Sequence, residues 1–119
     1  MANQEKKLQD EIINATNSRR DARLFRNNVG MCTGKTVGLR FGLRKGSSDL
    51  IGWQTIIVNG RKIAIFMAVE CKSSKGKLSK DQKIFLDNVN NAGGIGIVAN
   101  SIDDVLRLFG EKEQHGEVI

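Results

Sequence analysis

DLIGWQTIIVNGRKIAIFMAVECK, residues 49–72, is the stretch on which the rest of the chain depends. Asn59-Gly60 separates two apolar runs, 49–58 and 61–70. Both central residues of the tightest hairpin turn need positive φ, which Asn and Gly tolerate, so the runs are predicted to be antiparallel strands. Such a turn pairs Val58 with Arg61, and every further pair of residue numbers then sums to 119. Asp49 and Glu70 meet that condition. Without a bulge the two carboxylates stand opposite each other on one face, Cβ atoms about 4.5–5.5 Å apart. Lys72, two residues past Glu70, shares that face, while the side chain of Cys71 points to the other. A bulge would send one acid to the wrong face, and Gly52 is the candidate for one. The second run, IAIFMAV, is apolar on both faces, which predicts a central position in the sheet.

Working outward, Leu8, Ile12 and Ala15 recur at helical spacing and predict a helix over 4–20. Residues 22–29 and 35–42 read as strands around a Gly-containing loop, and Gly46-Ser47-Ser48 as a turn. On the C-terminal side, Ser79-x-x-Gln82 is a capping-box pattern opening a helix to about Asn91, with Phe85, Leu86 and Val89 inward and Gly93-Gly94 as its stop. IGIVAN, 95–100, reads as a short buried strand. Ser101 opens a last helix with Val105, Leu106, Leu108 and Phe109 on its apolar side and Gly110 at its end. The expected order is α-β-β-β-β-α-β-α, an α/β fold with a mixed sheet flanked by helices. Residues 1–110 form one domain in this reading, with 111–119 a polar tail.

Composition narrows the chemistry. The 119 residues contain no Tyr and one His, His115, near the C-terminus, so His triads, HNH-type sites and multi-His metal centres are excluded as readings. Two Cys, Cys32 and Cys71, cannot build a Cys-rich zinc site and read as free thiols of a reducing compartment. No apolar run approaches a membrane span and the N-terminus lacks a signal-peptide core, so the expected location is cytoplasmic. The 19 Lys and Arg against 13 Asp and Glu give a net charge of +6. All of that excess lies in residues 1–48. It concentrates in Arg19, Arg20, Arg23, Arg26, Lys35, Arg40, Arg44 and Lys45, a segment whose only acid is Asp21. Arg-rich excess favours a phosphate-bearing partner such as nucleic acid.

The trio Asp49, Glu70 and Lys72 has two readings. Two facing carboxylates repel, and a divalent cation between them relieves that repulsion. Alternatively, Lys72 neutralises one acid in a salt-bridged cluster at the end of the sheet. Glu11, at the edge of the first helix's apolar stripe, reads as a solvated flank, and Gln82 as helix cap or site residue. Lys75-Gly-Lys77-Leu-Ser-Lys80 is a loop able to hold phosphate beside a helix N-terminus.

Asp49, then about twenty residues, then Glu70-x-Lys72 resembles the PD-(D/E)XK nuclease pattern. FGLRKGSSDLIGW (41–53), AVECKSSKGKLSKDQKIFL (68–86), GGIGIVANSIDDV (93–105) and the stretch Arg26-Asn27-Asn28-Val29-Gly30 are similar to the virus-type replication-repair nuclease domain, VRR-NUC, across roughly residues 8–109. The resemblance implies a restriction-endonuclease-like core and a Mg²⁺- or Mn²⁺-dependent endodeoxyribonuclease. Asp49 and Glu70 would be metal ligands with the Cys71 carbonyl, Lys72 the catalytic lysine and Gln82 an active-site glutamine. Glu11 would be the helix glutamate that faces the metal. Cys71 departs from the aliphatic residue usual before that lysine, a change that a backbone ligand tolerates. Stand-alone phage and bacterial members resemble homodimeric junction-nicking (Holliday junction) nucleases of DNA repair. The basic residues from Arg19 to Lys45, with Lys75 and Lys77, would then hold the DNA backbone, recognising shape rather than sequence.

Overall fold

A computed structural model of the chain describes residues 2–28, 30–31, 40–41, 43 and 45–109. The elements are α1 (Ala2–Asn17), β1 (Ala22–Arg26), β2 (Gly30–Met31), β3 (Arg40–Phe41), β4 (Leu50–Val58), β5 (Arg61–Cys71), α2 (Lys80–Asn91), β6 (Ile95–Ala99) and α3 (Ile102–Leu106). Four strands form the sheet in the order β1-β4-β5-β6, antiparallel except for the parallel pair β5·β6. Biface-apolar β5 is interior, as its composition requires.

The hairpin forms in the predicted register. Val58 faces Arg61, Leu50 faces Val69, and no bulge interrupts the ladder between them. Asn59 and Gly60 adopt φ of 50° and 77°, the paired positive values that their identities allow. Gly52 is not a bulge. It sits opposite Leu24 of β1, where a Cβ would lie 1.9 Å from the Arg23 carbonyl oxygen.

The core lies on one face of the sheet, where α1 and α3 pack. Ile12, Leu24, Leu50, Met67, Val69, Cys71, Ala99, Val105 and Phe109 form it. α2 lies on the opposite face and buries Leu86 there; a Cβ on Gly96 of β6 would come within 2.9 Å of the Leu86 carbonyl oxygen. No described helix is long and apolar enough to cross a membrane.

Three expectations are corrected. The first helix ends at Asn17 rather than residue 20, because the Asn17 amide leaves the helix to bond β1 from both ends. Its Nδ2 donates to the Leu24 carbonyl (3.0 Å) and its Oδ1 accepts the Leu24 N–H (2.9 Å). The strand expected over 22–29 stops at Arg26, and Gly30–Met31 instead pairs with Arg40–Phe41 in a separate two-stranded ladder. This adds one short strand to the predicted order. The remainder of the strand expected over 35–42, together with Cys32, Lys35, Arg44, Gly110 and the tail 111–119, falls outside the described residues. On α3, Leu106 is exposed while Val105 and Phe109 are buried.

Candidate active site

The site assembles at one end of the sheet, where β4 begins and β5 ends. Asp49 immediately precedes β4, on the face that carries Glu70. Its Oδ2 accepts the backbone N–H of Cys71 (3.0 Å) and its carbonyl accepts the N–H of Asn27 (2.8 Å). Asn27 also donates from Nδ2 to Ser47 Oγ (2.8 Å) and to the Ser48 carbonyl (2.9 Å), holding the approach to Asp49. Gly46, at φ 89°, lets that approach run against α2. A Cβ there would stand 2.6 Å from Asp81 Cβ.

Glu70 is 1% exposed. Its Oε1 accepts from Gln82 Nε2 at 2.9 Å and lies 3.7 Å from Lys72 Nζ. Its Oε2 is buried without a hydrogen-bond partner. Burial, reinforced by the Asp49 charge and opposed by Lys72, pushes the Glu70 carboxyl up from 4.5 to about 8. A carboxyl group buried this closely against a second one is poised to share a proton with it or to accept a cation.

Gln82 makes the contacts of both readings between which its sequence position could not choose. Its Oε1 accepts the Ser79 N–H (2.9 Å), its own N–H is accepted by Ser79 Oγ (3.1 Å), and its Nε2 reaches Glu70. The capping box fixes the amide oxygen and thereby aims the amide nitrogen. Gln82→Glu keeps an oxygen for the cap but removes the donor to Glu70 and sets a third carboxyl group against that residue. Its melting temperature is expected to stay within a few degrees of the parent while cleavage falls 10- to 100-fold, as for other residues that orient a metal ligand. Thermal melts beside initial rates check this, and a larger fall in stability than in rate would leave only the cap.

The Cys71 thiol belongs to the core, where burial pushes it up to about 12. Its backbone serves the site. The Lys72 N–H donates to the Ala99 carbonyl on the β6 side (3.0 Å). Peptide groups alternate in direction along a strand, so the N–H and C=O of Cys71 both point to the β4 side, where Asp49 lies. Asp49, Glu70 and this carbonyl are oxygen donors of the kind that hard divalent cations take. Among the described residues no three His, Cys, Asp or Glu side chains converge as a metal cluster.

The structure does not bring Glu11 to this pair. Glu11 is exposed on α1. Glu5 of the same helix is half-buried, and its Oε2 accepts the N–H of Ser73, the residue after Lys72 (3.2 Å). The buried stripe of α1 centres on Ile12 and Thr16, both 0% exposed, and Glu5 lies on that line at helical spacing, whereas Glu11 is about a third of a turn away. Counting only apolar residues hid Thr16 and displaced the stripe.

Several of the basic residues are engaged within the fold. Arg19 makes a two-pronged ion pair with buried Asp21 (2.8 and 3.0 Å) and stacks over the Phe109 ring (4.5 Å). Arg23 donates to the carbonyls of Arg19 and Ala22. Arg26 bonds Gln9 (3.1 Å) and Asp10 (2.5 Å) of α1. Arg20, Lys45, Lys75 and Lys77 are exposed, and Lys45 and Lys80 line a cleft of about 470 Å³ with Gly46, Ser79, Asp81 and Gln82, next to the acid pair. Arg40 is described only in its backbone.

The family model for the VRR-NUC domain matches residues 3–103. No curated protein and no solved structure matches the chain. The matched span takes in the whole four-stranded sheet and both elements that converge on Glu70. The chain therefore belongs to the VRR-NUC family, and its function is of nuclease type, on DNA.

Proposed function

We propose that the protein is a Mg²⁺- or Mn²⁺-dependent endodeoxyribonuclease that nicks branched DNA, four-way junctions in particular, as a homodimer. The observation that carries the reading is Glu70, which is buried beside Asp49 with Oε1 clasped by Gln82 and Lys72 and Oε2 without a partner. A structural ion pair between Glu70 and Lys72 has no use for a second carboxylate beside it.

Asp49, Glu70 and the Cys71 carbonyl would hold the cation. Bound there, Mg²⁺ or Mn²⁺ supplies a Lewis acid for the phosphate and a water of lowered pKa. Lys72 places positive charge at the same spot, suited to a phosphoryl oxygen as negative charge builds on it. Gln82 fixes the orientation of Glu70. Lys45, Lys75, Lys77 and Lys80 surround the site with exposed cations for the DNA backbone.

The homodimer is supported by the outer half of the hairpin. Beyond Thr55 on β4 and before Met67 on β5, the two strands pair only with each other among the described residues. Val58 and Ile63 are 43% and 40% exposed on this arm, close to Ile56 and Ile65. A bare two-stranded ribbon is marginal in water, and a second copy would cover it. A two-fold dimer matches the two-fold symmetry of a four-way junction.

The test is incubation of the protein and its Lys72→Ala variant with labelled four-way junctions, flaps and linear duplexes in Mg²⁺, Mn²⁺ or EDTA. Metal-dependent paired nicks in the junction are expected, with the variant slower by about 10²-fold or more. Cleavage of linear or flapped DNA alone would keep the nuclease and remove the junction. Binding without cleavage in either metal would make the chain a DNA-binding module of nuclease fold.

A further inference from the structure

The face of the sheet that carries Asp49 and Glu70 also carries three aromatic rings that nothing in the described fold covers. The register places Trp53 opposite Phe66, and Phe25 opposite Ile51, all on the acid-pair face because they alternate with the core residues Leu24, Leu50, Gly52 and Met67. Phe25, Trp53 and Phe66 are 48%, 40% and 43% exposed. The Phe25 and Trp53 rings lie 5.6 Å apart at 46°. α2 shields only the neighbouring part of this face. From the acid pair to the Trp53–Phe66 pair is four strand residues, about 13 Å at ~3.3 Å each.

We propose that Phe25, Trp53 and Phe66 are a stacking platform for unpaired DNA bases flanking the cleavage position. The proposal rests on the nuclease reading for its substrate. The chemistry of the patch selects the occupant. The patch is made of flat rings, whereas the arm assigned above to a second copy is aliphatic and its Val58 and Ile63 lie on the other face of the hairpin. A cation stands on either side of the rings on the same face: half-buried Arg23, which faces Trp53 from β1 and keeps its charge while donating to the Arg19 and Ala22 carbonyls, and exposed Lys62, four residues beyond Phe66. Aromatic rings between cations, on the face where a phosphodiester would be cut, suit a single strand whose bases stack while its phosphates are neutralised. Such a platform gives a branch-selective enzyme a means of preferring DNA whose bases unpair at a branch point over an intact duplex.

Trp53 is the sole tryptophan of the chain, so its emission reports on this face alone. The full chain is titrated in EDTA with a short oligothymidylate and with a blunt duplex of equal length. Saturable quenching of Trp53 at lower concentration for the single strand is expected. Phe66→Ala and Phe25→Ala are each expected to weaken single-strand binding about 5- to 100-fold, with far less effect on the duplex. Phe66→Leu, which keeps apolar volume, is expected to melt like the parent yet bind like Phe66→Ala. Binding seen by anisotropy of a labelled oligonucleotide with no change in Trp53 emission would overturn the platform. So would emission that shifts with protein concentration alone as the light-scattering mass doubles, since a second copy would then occupy the face. Cleavage assays with Glu70→Gln run beside these. Metal-dependent cutting without Trp53 quenching removes the platform and keeps the nuclease, whereas quenching without cutting in any metal keeps the platform and removes the nuclease.

Discussion

Glu70→Gln is expected to abolish DNA cleavage, by at least about 10³-fold, while the protein remains folded and still binds DNA. The substitution keeps the shape of the side chain and an oxygen for Gln82, while it removes the charge and puts an NH2 group, which cannot ligate a cation, in place of the other oxygen. Loss of a single preorganised electrostatic contact costs roughly 10²–10³ in rate, and Glu70 is the more deeply buried of the two carboxylates that would hold the cation. The fold should not suffer, because the removed charge is unfavourable in the metal-free protein. Burial and Asp49 raise the folded-state pKa of Glu70 from 4.5 to about 8. Between these values the folded chain holds a proton that the unfolded chain releases. The stabilising contribution is therefore complete below about pH 4.5 and lost as pH rises through about 8. In EDTA the parent's melting temperature is expected to fall over this window and that of Glu70→Gln to fall less. Adding Mg²⁺ or Mn²⁺ near pH 8 is expected to restore the parent and not the variant, since binding to the folded state alone stabilises by mass action. Filter binding, nicking assays and paired melts read all of this. Parallel loss of binding and cleavage would mean misfolding instead.

What could be read from the sequence divides along the range of the interactions. The hairpin was legible because Asn59-Gly60 is a local signal, and from it arithmetic alone carried Asp49 to Glu70. The capping box was local too, and it brought Gln82 into view even though its second bond, to Glu70, spans twelve residues. The errors lie where a distant partner decides. Asn17 ends its helix because it meets Leu24 across a turn, not because its own propensity fails. The charge count from Arg19 to Lys45 saw only Asp21 as a counter-ion, yet Arg26 finds Asp10 on a helix that precedes the segment. Glu5 was missed for the related reason that a polar residue, Thr16, helps define the buried side of α1. The pattern of apolar spacing contains no such information.

Gly52→Ala is expected to be the most damaging small substitution in the sheet, lowering the melting temperature by more than about 10 °C, in keeping with the upper range of point-mutant destabilisation. In sequence this glycine resembles a bulge, a place where the ladder slips. The structure gives the opposite reason for it: the ladder is regular, and β1 comes so close that a methyl group has nowhere to go. The added Cβ would lie 1.9 Å from the Arg23 carbonyl oxygen, 2.8 Å from its carbon and 3.0 Å from the Leu24 Cα. All three are backbone atoms, so no rotamer change relieves the contact, and strand β1 must move away from β4. That movement has a functional cost that an ordinary core defect does not. β1 leads directly into Asn27, whose bonds to Ser47, Ser48 and Asp49 hold one half of the acid pair in place. Whatever fraction of Gly52→Ala remains folded is thus expected to cleave DNA more slowly than a variant of equal instability made at the far side of the core, such as Val105→Ala on α3. Comparing the two at temperatures where both are fully folded separates the terms. Equal rates per folded molecule would mean that the spacing of β1 and β4 matters for stability alone, and a slower Gly52→Ala would show that the close approach of the two strands sets the position of Asp49.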